Sequence, residues 1–166
     1  MFKKFYPDND VASAYEIDYK KLYAGGYRGI IYDIDNTLVM HGKPADERCI
    51  SFIKGLKEIG FKVIVMSNNQ IDRVQGFASQ VAVPFIEDAH KPLKKSYYKA
   101  MEMIGTDVNN TIFVGDQLFT DIYGAKRCGI TNYLVRPIHK SEEIQIVLKR
   151  RLEKIVLKSY YKNKRS

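Results

Sequence analysis

The stretch IIYDIDNTLV, from Ile30 to Val39, sets Asp33, Asp35 and Thr37 at alternate positions behind an apolar run. Residues two apart in an extended chain share a face, so two carboxylates and a hydroxyl are expected to converge at the end of a buried strand. Three later stretches bring comparable groups: Ser67 and Asn68 in VMSNN, Lys91 in HKP, and Asp116 and Asp121 in GDQLFTD. Carboxylates gathered at one edge repel, and some take up protons unless a cation separates them. A hard divalent ion such as Mg²⁺ removes that conflict. It takes oxygen ligands and is commonly held by one or two carboxylates together with a substrate phosphate. Thr37, Ser67 and Lys91 supply two hydroxyls and an ammonium suited to phosphate oxygens, and backbone amides of the DNT and SNN turns add donors. A carboxylate also serves as a nucleophile, and a second one can protonate the leaving alkoxide and deprotonate water. Asp33 and Asp35 fit those two roles, and their spacing leaves open which takes which.

These groups need a frame to position them. Apolar runs over 29–33, 62–68, 83–87, 111–116 and 131–135 predict strands, and periodic segments over 47–60, 70–81, 93–105 and 120–129 predict helices between them. Gly60 suits a helix stop and Pro92 a helix start, while Gly76 weakens the helix around it. The alternation predicts an α/β fold, a three-layer Rossmann-like parallel sheet flanked by helices. Such sheets bind ligands beyond the carboxyl ends of their strands, where Asp33 to Thr37, Ser67-Asn68 and Asp116 all fall and Lys91 follows. Residues 142–161 predict a basic amphipathic helix. Its Ile144, Val147, Leu148, Leu152, Ile155 and Val156 lie near one side, expected to dock on the domain, with Lys149, Arg150, Lys154 and Lys158 largely opposite.

The four stretches, in this order and each behind a strand-like run, resemble the motifs of the haloacid dehalogenase superfamily of aspartate-dependent phosphohydrolases: DIDNT for the first, Ser67 for the second, Lys91 for the third and GDQLFTD for the fourth. The N-terminal FYPDNDVASAYEIDYKKLYAGGYRG and the run GDQLFTDIYGA are similar to the YqeG-type branch, subfamily IIIA. That branch is related to phosphatases of yeast mitochondria and plant plastids that act on phosphatidylglycerophosphate. The resemblance implies a Mg²⁺-dependent phosphomonoesterase working through an aspartyl-phosphate. Asp33 is then the nucleophile and Asp35 the acid/base, which also gives its backbone carbonyl to the metal. Asp116 is the further metal ligand and Thr37 supports the motif. Ser67 and the Asn68 amide bind the phosphoryl group, Lys91 bridges phosphate and Asp33, and Asp121 orients Lys91 or metal-bound water. Simpler readings make Ser67 and Asp121 helix caps. No cap domain fits between Leu38 and the first helix or between Asn69 and His90. The site is thus expected to be open, for a large or membrane-held substrate or for capping by a second copy of the chain.

The 166 residues, 45% hydrophobic and 28% charged, suit one domain: a lead-in over 1–28, a catalytic core over 29–136 and the basic helix within 137–166. No apolar run reaches the roughly 20 residues of a membrane span, and the N-terminus lacks the apolar core of a secretory signal. Cys49 and Cys128 fit no short metal or redox spacing and read as reduced core thiols of a cytoplasmic protein. His41, His90 and His139 show no ligand spacing and read as structural or surface residues. The net charge of +8 is concentrated after residue 138, with nine Lys/Arg against three Asp/Glu. Such a tail attracts anionic membrane, nucleic acid or ribosomal surfaces alike. Peripheral contact with an anionic inner membrane face is one expectation. The rival readings are a phosphatase of a soluble sugar or nucleotide phosphate, and a non-catalytic module that binds RNA or a ribosomal partner. The tail carries no recognised RNA-binding motif, and the full motif set weighs against a non-catalytic module.

Overall fold

Parity along the central strands explains the architecture. In β2 (Gly29–Tyr32), Ile30 and Tyr32 enter one apolar cluster and Ile31 enters another. β3 (Lys62–Met66) repeats the division, with Val63 and Val65 against Ile64 and Met66. β5 (Thr111–Gly115) does so with Ile112 and Val114 against Phe113. Strands buried on both faces are what a parallel sheet between two helical layers requires. A computed structural model describes residues 1–139 and 144–166, the side chains of 144–146 excepted.

Three further strands, β1 (Asn9–Val11), β4 (Phe85–Ile86) and β6 (Thr131–Val135), complete a six-stranded, all-parallel sheet in the order β1-β6-β5-β2-β3-β4. On one face lie α1 (Tyr19–Ala24), α2 (Glu47–Ile59) and α3 (Ile71–Val81); on the other lie α4 (Lys94–Ile104) and α5 (Tyr123–Arg127). The Rossmann-like fold expected from the alternation is therefore present. α2 is capped by Asp46, which accepts the Cys49 N–H, and stops at Gly60 with φ 123°. Cys49 and Cys128 are buried free thiols in the two opposite clusters.

Three features depart from the sequence expectations. Residues 9–11 belong to the stretch read as a lead-in, yet they form an edge strand beside β6. Polar bonds fix that register rather than an apolar run: Asn132 Nδ2 donates to Asp8 at 2.8 Å and the Asp8 N–H returns a bond to Asn132 at 2.9 Å. The helix expected from residue 120 begins instead with a π turn over Leu118–Ile122. That turn folds Asp121 back over Gly115, where an added Cβ would stand 2.5 Å from the Asp121 carboxylate, so this position of the GD motif admits no side chain.

The third departure is α6 (Ile144–Lys164), which docks on a different face from the one expected. Among the side chains read as its docking side, Val156 is buried, whereas Leu148, Leu152 and Ile155 are 54%, 57% and 57% exposed and Val147 is exposed too. Residues 142 and 143 and the side chain of Ile144 lie outside the described residues. The inward face is Arg150, Glu153, Val156 and Leu157. Polar anchoring decides this: Glu153 accepts the Leu118 N–H at 2.7 Å, Arg150 binds Asp116, and Val156 joins a small cluster with Leu118, Ile122 and Leu134. No helix among the described residues is long and apolar enough to cross a membrane.

Candidate active site

The carboxyl ends of β2 and β5 and the turns after β3 and β4 surround one buried cluster. Asp33 follows Tyr32 and keeps the sheet register, its N–H bonded to Val114. Beyond it the chain turns: Ile34 accepts the N–H groups of Thr37 and Leu38, and Asn36 takes a left-handed conformation at φ 61°. The expected convergence of Asp33, Asp35 and Thr37 is therefore only partly met, because the segment is not extended. Thr37 turns inward and its hydroxyl faces both Asp116, at 3.2 Å, and Asp33, at 3.4 Å. Read first as a phosphate ligand, Thr37 is buried against the carboxylates themselves.

Asp35 points the other way. Its carboxylate accepts from the Gly42 N–H at 2.8 Å, from Asn69 Nδ2 at 2.9 Å and from Arg73 at 2.9 Å, with His41 Nδ1 at 3.9 Å. Burial raises the pKa of this carboxyl, but the Gly42, Arg73 and Asn69 donors outweigh it and hold the group below the usual range. Asp35 is thus an ionised group at the rim, apart from the buried cluster. The alternation of the sequence did not indicate Arg73 and Asn69, although Asn69 lies in the SNN turn.

Lys91 reaches the centre from the turn after β4. Asn68 grips its backbone from the neighbouring turn, accepting the Lys91 N–H at 2.8 Å and donating Nδ2 to its carbonyl at 3.4 Å. The ammonium lies 2.8 Å from Asp33 and 2.6 Å from Asp121, with all three side chains almost fully enclosed. Burial alone would lower the Lys91 pKa; Asp121 and Asp33 overcome it and hold the group above its ordinary value. Asp121 is no helix cap: it ties Lys91 in place and accepts the Gln117 N–H at 3.1 Å. Ser67 does not cap α3 either, since Gln70 holds that position; its hydroxyl accepts the Asn69 N–H at 3.0 Å and keeps its own proton to donate.

Asp33, Asp116 and Asp121 each place an oxygen within 4.8 Å of the others, and all three are buried. Burial and the facing Asp121 push Asp33 well above the usual carboxylate range, with Lys91 pulling against them. Burial and Asp121 likewise push Asp116 up to about 6, against the opposing pull of Arg150. Crowded oxygen donors whose ionisation is resisted by one another form a set that a hard divalent cation fits. Arg150, read as part of an outward basic face, instead binds the Asp116 carboxylate and carbonyl and pairs with Glu153 at 3.1 Å. The i, i+3 pairing of Arg150 with Glu153, in phase with Val156 and Leu157, is the sequence signal for that inward face.

A haloacid dehalogenase-like hydrolase family profile matches residues 47–129, a span that holds Ser67, Lys91, Asp116 and Asp121 and begins after Asp33. The chain is 36% identical over 159 residues to the Bacillus subtilis protein named Probable phosphatase YqeG, covering 95% of this chain and 92% of that one. It is 26% identical over 161 residues to phosphatidylglycerophosphate phosphatase 1, chloroplastic/mitochondrial, of Arabidopsis thaliana, covering 87% of this chain and 44% of that one. Among solved structures, the cobalt-bound deoxy-D-mannose-octulosonate 8-phosphate phosphatase of Haemophilus influenzae matches with a TM-score of 0.58 at 16% identity, covering 83% of this chain and 90% of that one, a likeness of fold.

Proposed function

The chain belongs to the haloacid dehalogenase-like hydrolases and is a phosphatase of that family; on that premise we propose that it is a Mg²⁺-dependent phosphomonoester hydrolase with an aspartyl-phosphate intermediate on Asp33. The observation that carries this reading is the buried set of Asp33, Asp116 and Asp121 around the Lys91 ammonium.

In this reading Asp33 attacks phosphorus, forming the Oδ–P bond while the ester P–O bond breaks. The leaving alkoxide takes a proton from Asp35. Water then attacks phosphorus, gives its proton to Asp35, and Asp33 departs as carboxylate. Asp35 is held ionised by its donors, so it needs an incoming phosphate dianion, whose charge raises a neighbouring carboxyl pKa, to carry the first proton. Lys91 holds Asp33 and the transferring oxygens, and Asp121 fixes Lys91. Ser67 and the Asn68 amide bind the phosphoryl group. Mg²⁺, held by Asp33, Asp116 and the Asp35 carbonyl, supplies charge neutralisation to that group when bound.

The finer reading is a lipid phosphomonoester such as phosphatidylglycerophosphate, met at an anionic membrane surface. Three observations support it. A relative carries that activity in its name. Among the described residues, no element large enough to cap the site interrupts the core. Leu148, Leu152 and Ile155 form an exposed ridge on α6, flanked by Arg151, Lys154 and Lys158, a pattern suited to lying in a lipid interface. The test compares wild type and Asp33→Asn, with Mg²⁺, on phosphatidylglycerophosphate vesicles and on soluble sugar and nucleotide phosphates. We expect turnover by wild type, best on the lipid, and none by the variant. Undiminished turnover by Asp33→Asn overturns the mechanism, and a preference for a soluble ester overturns the lipid reading.

A further inference from the structure

A cavity of about 810 Å³ opens between α6 and the carboxyl end of β6. Asp116 and Arg150 are part of its lining, so it abuts the candidate active site. Leu134, Val135, Pro137 and Leu157 give it apolar walls, and Arg151, Lys154 and Lys158 stand along the α6 side.

The cations around this cavity are of two kinds. Arg136 is taken by Asp10 and Tyr161, and Arg150 by Asp116 and Glu153. Among the described residues, no acidic side chain pairs with Arg151, Lys154 or Lys158. Their i, i+3, i+7 spacing puts all three on one strip of the helix. Glu153, the acidic residue on the α6 side of the lining, is already paired with Arg150, so among the described residues these three cations face the opening without an acidic partner. A cleft with low-dielectric walls focuses such charge on whatever enters it.

We propose that this cavity is a second-anion subsite. It takes the part of the substrate beyond the scissile ester and binds a second phosphate or phosphodiester there through Arg151, Lys154 and Lys158. This rests on the phosphomonoesterase reading above and narrows it: the preferred substrates are phosphomonoesters with a second anionic phosphorus group a few bonds from the first. The short backbone between the two groups lies against the apolar wall. The second group belongs either to a soluble bisphosphate or to a lipid headgroup, and both present the same chemistry to these side chains.

The full chain with Mg²⁺ is assayed on glycerol 3-phosphate, on glycerol 1,3-bisphosphate and on phosphatidylglycerophosphate in mixed micelles. Wild type is compared with Lys154→Glu/Lys158→Glu and with Lys154→Arg/Lys158→Arg. All four substitutions are at exposed positions. The quantity read is kcat/KM for each doubly anionic substrate divided by that for glycerol 3-phosphate. The Glu pair is expected to lower the ratio at least tenfold, mainly through KM, and the Arg pair to preserve it. A fall for the bisphosphate and the lipid together shows that the anion is read irrespective of its source. A fall for the lipid alone is the loss of surface attraction that the exposed α6 ridge already accounts for, and overturns the subsite. A ratio that the Glu pair leaves unchanged for both overturns the subsite while leaving the phosphatase reading standing. No turnover of any of the three by wild type overturns the subsite and the lipid reading together, and the Asp33→Asn comparison on the soluble sugar and nucleotide phosphates then decides the phosphatase mechanism.

Discussion

Two regions each deliver a cation to one cluster of three carboxylates, Lys91 to Asp33 and Asp121 and Arg150 to Asp116, and they do so in different ways. The turn after β4 supplies Lys91, enclosed between Asp33 and Asp121, its backbone gripped by Asn68. α6 supplies Arg150 from outside the sheet, bound to Asp116 and to Glu153. Lys91 belongs to the core, held by Asp33 after β2, Asn68 after β3 and Asp121 after β5. Arg150 arrives on a helix held mainly by polar contacts, and its partner Asp116 is also a proposed metal ligand. A cation built into the core is a fixture of the site, whereas one carried by a peripheral helix shares its carboxylate with whatever else binds there. Lys91 can therefore be expected to serve turnover directly, and Arg150 to set how strongly Asp116 is available to a metal.

The largest effect expected is at Lys91. Lys91→Met should lower kcat on the order of 10²–10³-fold, the cost of removing one preorganised charge from a phosphoryl site. It should also lower stability by about 3–5 kcal/mol, because two buried carboxylates lose their partner. Thermal unfolding of Lys91→Met/Asp121→Asn should recover much of the stability without the activity. Full activity in either variant removes the distinction between the two regions.

Arg150→Met should act on metal binding instead. Without the guanidinium, Asp116 is free for a divalent cation, and calorimetric Mg²⁺ affinity should tighten by roughly tenfold, a coupling of about 1.4 kcal/mol. The unfolding midpoint of the variant should then depend more steeply on Mg²⁺ concentration than that of wild type. Unchanged or weaker affinity means that Arg150 and the cation do not compete.

The smallest effect concerns the far end of α6, where Tyr161 and Arg136 meet Asp10. Burial raises the Asp10 pKa, but its bonds to Arg136 and Tyr161 bring it below 3.8. A depressed carboxyl stabilises the fold above its unfolded value and loses that contribution as pH falls through the folded value. As pH falls below about 5, wild type should therefore lose stability more steeply than Asp10→Asn. Parallel pH profiles would show that this anchor contributes nothing to holding α6.

Much of the core was legible because its residues answer to strong local rules. Asp33, Ser67, Lys91, Asp116 and Asp121 follow apolar strands, and a parallel sheet brings strand ends to one edge. The edge strand β1 was not legible, since NDV has no apolar alternation and its register depends on Asp8 and Asn132, more than a hundred residues apart. The outward turn of Asp35 was missed because it depends on the left-handed Asn36, which a two-residue period cannot register.

By itself, the sequence determined which chemistry-bearing residues reach the sheet edge. Burial of alternate strand positions on both faces is a local, repeated requirement, and it leaves the strand ends nowhere else to go. Only the tertiary structure decided which carboxylates meet, with Asp121 inside the cluster and Asp35 at its rim, and which face of α6 turns inward. The helix carries apolar side chains on more than one side. Its orientation was therefore settled by long-range polar partners, Asp116 for Arg150 and the Leu118 N–H for Glu153, whose positions no local pattern of α6 contains.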